Sequence, residues 1–282
     1  MNRAGVKAAS VLLLLLFAWI IFPRPSAAAE LKIAAKAAVL MNAQTGKILW
    51  TQNQDLRLPP ASTAKILTAL VVLDHSRTSD VVTIPAEALR VFGATTQLTS
   101  GEKLSASDLL HAMLLGSGND AANALALHTD ASIDNFVQRM NHKARTLGAI
   151  RSRFFNPTGM PEPNQLTTAQ DLALITKAAL ENSEFRKIVG KTTYRWRSKG
   201  WQGTIQNSNK LLSTYDGAIG VKTGNTREAG YCLVAAAKRG GQSYIAVVLK
   251  SEEKAVWQDA KKLLDYGFTH ESLEYGPASS DR

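Results

Sequence analysis

Apolar residues in this chain change their period twice, which leaves few architectures open to it. Near the start, residues 37–42 and 47–52 are apolar runs flanking Ala43-Gln-Thr-Gly46, a pattern that predicts a β-hairpin. From about residue 62 to 184 the spacing is helical. Ile66, Leu67, Leu70 and Val71 form one stripe, and Ile133, Phe136, Val137, Met140 and Leu147 form another that stops at Gly148. Ser105 with Asp108 three residues on predicts a capped helix ending at Gly116-Ser-Gly118, with the next helix from about Asp120. After Phe185 strand patterns return over 192–197, 220–223, 231–237 and 244–249, before an amphipathic helix over about 255–268. The simplest assembly is a sheet built from both chain ends with a helical insertion between them.

A length of 282 residues is large for one domain and short for two, so a single unit with two lobes is expected. With 45% hydrophobic and 20% charged residues the chain has enough apolar surface for a packed core, which excludes a disordered or low-complexity protein. One cysteine, Cys232, rules out an intramolecular disulfide. It lies in an apolar strand pattern and is expected to be a packed, inert thiol.

Residues 1–29 stand apart. Arg3 and Lys7 precede an apolar run over 8–22, then Pro23-Arg24-Pro25 and the small residues Ser26-Ala-Ala-Ala29. That order predicts a secretory signal peptide cleaved after Ala28 or Ala29. The alternative is a membrane anchor, although the apolar run has about 15 residues where a span needs about 20. Loss of Arg3, Lys7 and Arg24 would lower the net charge from +10 to +7. A basic exported protein is suited to anionic wall polymers or lipid head groups, or simply carries a solvated charged surface; nucleic acid is excluded as a partner by the compartment.

Ser-x-x-Lys occurs three times, at Ser62/Lys65, Ser100/Lys103 and Ser251/Lys254. The last two fall in polar or charged turns and are read as solvated surface. Pro59-Pro-Ala61 halts regular structure before Ser62, and a helical stripe begins straight after it, so Ser62 is expected at a helix N-terminus with Lys65 one turn on. A hydroxyl becomes a nucleophile when a base takes its proton, and a neutral lysine amine can be that base. Read alone, the serine is as well an N-cap. Ser117-Gly-Asn119, the one Ser-x-Asn of the chain, falls in a Gly-bounded interhelical loop where a hydroxyl and an amide can face a cleft, or cap a helix. Lys222-Thr-Gly224 follows a strand near a sheet edge. Lys222 supplies positive charge for a carboxylate and disfavours a second ammonium nearby, and Gly224 would let an extended peptide approach. An ordinary turn is the competing reading.

In that order, Ser62-Thr-Ala-Lys65, Ser117-Gly-Asn119 and Lys222-Thr-Gly224 resemble the three-motif signature of penicillin-binding proteins and serine β-lactamases. Pro60-Ala-Ser-Thr-Ala-Lys65, Leu115-Gly-Ser-Gly-Asn-Asp-Ala-Ala122, Asn156-Pro-Thr-Gly159, Asn207-Ser-Asn209 and Lys222-Thr-Gly-Asn-Thr226 are similar to the low-molecular-weight D-alanyl-D-alanine carboxypeptidases. The resemblance implies a two-lobed α/β fold, an antiparallel sheet with flanking helices plus an all-helical lobe over about 62–184. It implies a catalytic domain over 30–269 and a tail over 270–282. The implied substrate is the D-Ala-D-Ala end of peptidoglycan stem peptides, with β-lactams as covalent inhibitors and no metal or cofactor. Ser62 would be nucleophile and Lys65 its base; Ser117 would continue proton transfer; Asn119, Lys222, Thr223, Gly224 and Asn225 would bind substrate, with the N–H groups of Ser62 and Asn225 as oxyanion hole.

Residues 269–282 lack the apolar face of a C-terminal amphipathic anchor, so no such membrane anchor is expected. Where many relatives carry a glycine and then an arginine after the last strand, this chain reads Lys250-Ser-Glu-Glu-Lys254. A β-lactamase, with Glu162 activating water, and a wall- or penicillin-binding protein without turnover are the alternative readings. His75, His111, His128, His142 and His270 show no metal-ligand spacing.

Overall fold

The first hairpin forms because two apolar runs are joined by a short polar turn. In the computed structural model, which describes residues 31–275 and their side chains to residue 270, β1 (Ala37–Asn42) and β2 (Ile48–Gln52) pair antiparallel. The leader expected over 1–29 lies outside the described residues, as does most of the tail expected over 270–282. Then follow α1 (Lys65–His75), β3 (Val81–Thr83), β4 (Lys103–Ser105), α2 (Ala106–Leu115), α3 (Asn119–Asp130), α4 (Ile133–Thr146), α5 (Ala169–Glu181) and α6 (Ser183–Val189). The chain closes with β5 (Thr193–Arg197), β6 (Gln202–Gln206), α7 (Leu211–Thr214), β7 (Ala218–Thr226), β8 (Gly230–Arg239), β9 (Gln242–Ser251) and α8 (Ala255–Tyr275).

Both chain ends build one antiparallel sheet in the order β2-β1-β9-β8-β7, as expected. Alternation along the strands gives it two apolar faces. Val39, Met41, Val234, Ala236, Ile245 and Val247 join the core shared with the helical lobe. The alternate residues meet α8, where Tyr244 stacks edge-on against Phe268 at 4.7 Å. This double coverage explains why β1, β8 and β9 read as continuous apolar runs.

The helical lobe is organised around α1. Ile66 to Val72 are buried on every side, a wider surface than the single stripe expected, because α2, α3, α4, α5 and α6 all pack against this helix. Each fully buried Leu or Ile side chain contributes about 1.5–3 kcal/mol. Ser105 and Asp108 close a capping box at the start of α2, as the sequence predicts. Two small two-stranded sheets, β3–β4 and β5–β6, were not legible as pairs: three-residue runs carry too little period, and β6 has only Ile205 buried. The last helix runs to Tyr275, past the expected end at Phe268.

Candidate active site

Pro59 and Pro60 cannot continue a strand ladder, and the chain after them turns through a 3-10 segment, Ala61–Ala64, before α1 begins at Lys65. Ser62 therefore sits on the tight turn preceding the helix instead of on its first α-helical residue. Ala61 has φ 47, in the left-handed region that costs a non-glycine residue about 1–3 kcal/mol. Two glycines hold this turn in place. A Cβ on Gly159 would run into the Ala61 carbonyl oxygen, and one on Gly224 would lie 2.9 Å from the Ser62 nitrogen and 3.0 Å from Ala61 Cβ. The backbone that Gly224 admits is thus that of the serine turn.

Lys65 is wholly inaccessible (0% exposed), yet its Nζ meets three oxygens: Ser62 Oγ at 2.9 Å, Asn119 Oδ1 at 2.7 Å and the Thr158 carbonyl at 2.6 Å. Burial, reinforced by the nearby Lys222 charge and opposed by Asp120, pushes its pKa well below the ordinary lysine value. Both positioning oxygens are themselves fixed. The Asn119 amide donates to the Phe92 carbonyl at 2.5 Å, and its backbone N–H donates to Ala94 O at 2.8 Å. Next to it, buried Asp120 accepts from the Thr96 and Leu98 N–H groups and the Thr96 hydroxyl, which ties down the loop over 92–98. On the other side, Asn156 Oδ1 accepts from the N–H groups of Thr158 at 3.2 Å and Gly159 at 2.8 Å, an Asx turn that aims the Thr158 carbonyl inward. Thr68 Oγ donates to the Pro157 carbonyl at 2.6 Å and anchors the same loop to α1.

The third motif lies on β7, an edge strand of the sheet. Lys222 is 1% exposed; its Nζ donates to the Thr223 carbonyl at 3.0 Å, and burial lowers its pKa to about 7. The Thr223 hydroxyl meets that of Ser208 at 2.6 Å. Ser62, Ser117, Asn119, Thr223, Gly224 and Asn225 line one cleft of about 570 Å³, while the two lysines are buried and do not line it. All three motifs therefore converge. Ser117, at φ 64, is strained like the buried Ala61 and lines the cleft, and its hydroxyl is hydrogen-bonded to neither lysine.

Ser208, Arg227, Met160 and Trp257 also line the cleft and were not singled out from the sequence. For Ser208 a signal existed in Asn207-Ser-Asn209; Arg227 and Trp257 had none. Glu162 is exposed on an adjoining pocket with Pro59, Pro60 and Glu228, outside the cleft lining. Cys232 is a buried free thiol whose pKa burial pushes up to about 11. Ser100 and Lys103 are exposed, as expected for surface. Ser251 is not solvated: it is buried and donates to Asp259 Oδ2 at 3.1 Å, because that carboxylate anchors the chain segment entering β1.

The family model for D-alanyl-D-alanine carboxypeptidases matches residues 24–253. The D-alanyl-D-alanine carboxypeptidase DacF of Bacillus subtilis is 36% identical over 85% of this chain, which spans 64% of that relative's length. A D-alanyl-D-alanine carboxypeptidase of Streptomyces sp. strain K15 is 37% identical, over 84% of this chain and 88% of the relative. The crystal structure of the Streptomyces K15 DD-transpeptidase superposes with a TM-score of 0.80 at 37% identity, covering 84% of this chain and 98% of that one.

Proposed function

This chain belongs to the D-alanyl-D-alanine carboxypeptidase family, and on that premise we propose that it is a serine DD-peptidase that cleaves the terminal D-Ala-D-Ala bond of peptidoglycan stem peptides through an acyl-enzyme on Ser62. The observation that carries this reading is the environment of Lys65. A neutral amine has two N–H bonds and one lone pair. The Asn119 and Thr158 oxygens, at 2.7 and 2.6 Å, account for the two N–H bonds, which leaves the lone pair for Ser62 Oγ at 2.9 Å. Burial and the neighbouring Lys222 both favour that neutral form.

In the first half-reaction Lys65 takes the hydroxyl proton as Ser62 Oγ bonds to the carbonyl carbon of the penultimate D-Ala. The Ser62 and Asn225 N–H groups stabilise the oxyanion. When the tetrahedral intermediate collapses, the C–N bond breaks and the proton passes, with Ser117 as relay, to the departing D-alanine nitrogen. In the second half-reaction water gives up a proton to the same base, attacks the ester and releases the shortened peptide, and Ser62 regains its hydrogen. Asn119 acts in this account as a positioning residue for Lys65, since both ends of its amide are engaged inside the protein. Thr223 and Arg227, which line the cleft, supply a donor and charge for the terminal carboxylate, and the buried Lys222 adds positive charge from behind Thr223, whose carbonyl it meets. The edge of β7 offers unpaired backbone groups to an extended peptide. A β-lactam, which presents a carboxylate beside a reactive carbonyl, acylates the same serine.

The work is done outside the cytoplasmic membrane, and residues 1–29 are read as the export signal, so N-terminal sequencing of the exported protein is expected to begin at Ala29 or Glu30. The catalytic assignment is tested by incubating the purified protein with a penicillin, mapping the adduct by tryptic mass spectrometry and measuring D-alanine release from a D-Ala-D-Ala peptide. An adduct on Ser62, with release abolished in a folded Ser62→Ala variant, supports it. Unchanged release in that variant removes it.

A further inference from the structure

A second cavity, of about 1180 Å³, lies on the helical lobe and shares no lining residue with the catalytic cleft. One wall is the polar face of α4, where Asn135, Gln138, Arg139, His142 and Arg145 recur at helical spacing opposite the buried Phe136, Met140 and Ala144. The other wall is the segment over 150–155, with Arg57 joining it. The walls are fastened together: Asn141 Oδ1 accepts from the Phe154 N–H at 2.9 Å, and its amide donates to the Phe154 carbonyl at 2.7 Å. The cavity is thus preformed.

Its charge is one-sided. Five arginines line it against a single acid, Asp130, and no lysine, whereas the catalytic cleft is lined by one arginine and one glutamate. Asp130 is occupied by Arg139, and exposed Asp55 reaches Arg151 at 3.2 Å. Among the described residues Arg57, Arg145 and Arg153 are exposed and have no acidic partner; Arg153 lies over the Phe155 ring at 4.9 Å. Guanidinium groups present planar forks of donors that match phosphate and carboxylate oxygens, a fit that lysines lack. Ile150, 71% exposed, and Phe155, 37% exposed, add apolar surface beside the arginines.

We propose that this cavity binds an anionic polymer of the cell envelope, its repeated phosphate or carboxylate groups taken by Arg57, Arg145 and Arg153 and its uncharged backbone lying against Phe155. Concavity selects a polymer strand over a lipid surface, since a flat bilayer cannot enter between two walls and a chain with spaced anions can. Such binding would hold the enzyme on the wall without engaging the catalytic cleft.

The test uses the full mature chain and two soluble probes, poly(glycerol phosphate) for the phosphate source and polygalacturonate for the carboxylate source, by fluorescence anisotropy in low salt. Wild-type protein is expected to bind one of them, which identifies the source, and the triple variant Arg57→Gln, Arg145→Gln, Arg153→Gln to bind at least about tenfold more weakly at an unchanged melting temperature. A charge-matched control, Lys199→Gln, Lys238→Gln, Lys254→Gln, is expected to change affinity by about twofold or less. Equal losses in the two triple variants, no binding of either polymer by wild type, or binding confined to vesicles rich in phosphatidylglycerol would each overturn the proposal.

Discussion

Ser62 with Lys65 and Ser251 with Lys254 share the same spacing and have opposite surroundings. At the first pair the lysine is buried and the serine half-exposed to a cleft, with Lys65 Nζ 2.9 Å from Ser62 Oγ. At the second pair the serine is buried and the lysine exposed, and the Ser251 hydroxyl is turned toward Asp259, which also accepts the Ala34 and Ala35 N–H groups at 3.0 Å. A carboxylate beside a serine at a chain junction makes a structural anchor. A buried amine between two carbonyl-type oxygens makes a base. Spacing alone therefore decides nothing; what decides is which member of the pair loses its water.

The sharpest way to break this contrast is to remove each amine. Lys65→Gln is expected to lower penicillin acylation and D-alanine release by about 10²–10⁴-fold, the usual worth of a general base, while Lys254→Gln leaves both unchanged in the same stopped-time assays. Equal effects would erase the distinction. Next comes the acceptor that holds Lys65. In Asn119→Asp a carboxylate beside the amine favours the ammonium form, so the Lys65 pKa rises and the neutral base appears only at higher pH. The acid limb of kcat/KM is expected to move to more alkaline pH, with about tenfold lost at neutral pH for each unit moved. An unmoved limb would show that Asn119 does not set the state of Lys65.

A smaller effect separates the two sides of the serine turn from free surface. Gly159→Ala meets the Ala61 carbonyl and takes φ 79, whereas Gly101→Ala takes φ 75 with open space around it. Both pay a left-handed backbone cost of about 1 kcal/mol, but only Gly159→Ala is expected to lose a further 1–3 kcal/mol, roughly, in denaturant titrations and to slow acylation. Smallest of all, Ser251→Ala should cost about 1 kcal/mol of stability and nothing in turnover, since Asp259 keeps its two backbone donors.

The sheet at both chain ends, the helical insertion and the hairpin turn at 43–46 were readable from period alone, because each element buries a face long enough to show it. The three motifs could be named from the sequence, and the cleft brings together Ser62, Ser117, Asn119 and Thr223 with the two motif lysines buried beneath it. What sequence could not carry was the support behind them. The Thr158 carbonyl that meets Lys65 is a backbone group 93 residues away, and backbone atoms leave no mark in a residue pattern. Asp120, read only as a helix start, proves to hold the loop over 92–98 through donors more than twenty residues distant. Gly224 lines the cleft and also lets the strand pack against the serine turn, and that second contact, between chain segments far apart in sequence, leaves no mark in the residue pattern. Ser251 misled for the mirror reason: Glu252, Glu253 and Lys254 are solvent-exposed, but the serine before them ends a buried strand.

The central claim is that Lys65 is neutral where it acts. NMR titration of the lysine Cε–Nζ resonances, with Lys65 assigned through Lys65→Arg, measures this directly. The expected result is a Lys65 signal that changes from ammonium to neutral amine well below the ordinary lysine value of about 10.4. A Lys65 signal that remains that of an ammonium ion up to pH 10 would contradict it.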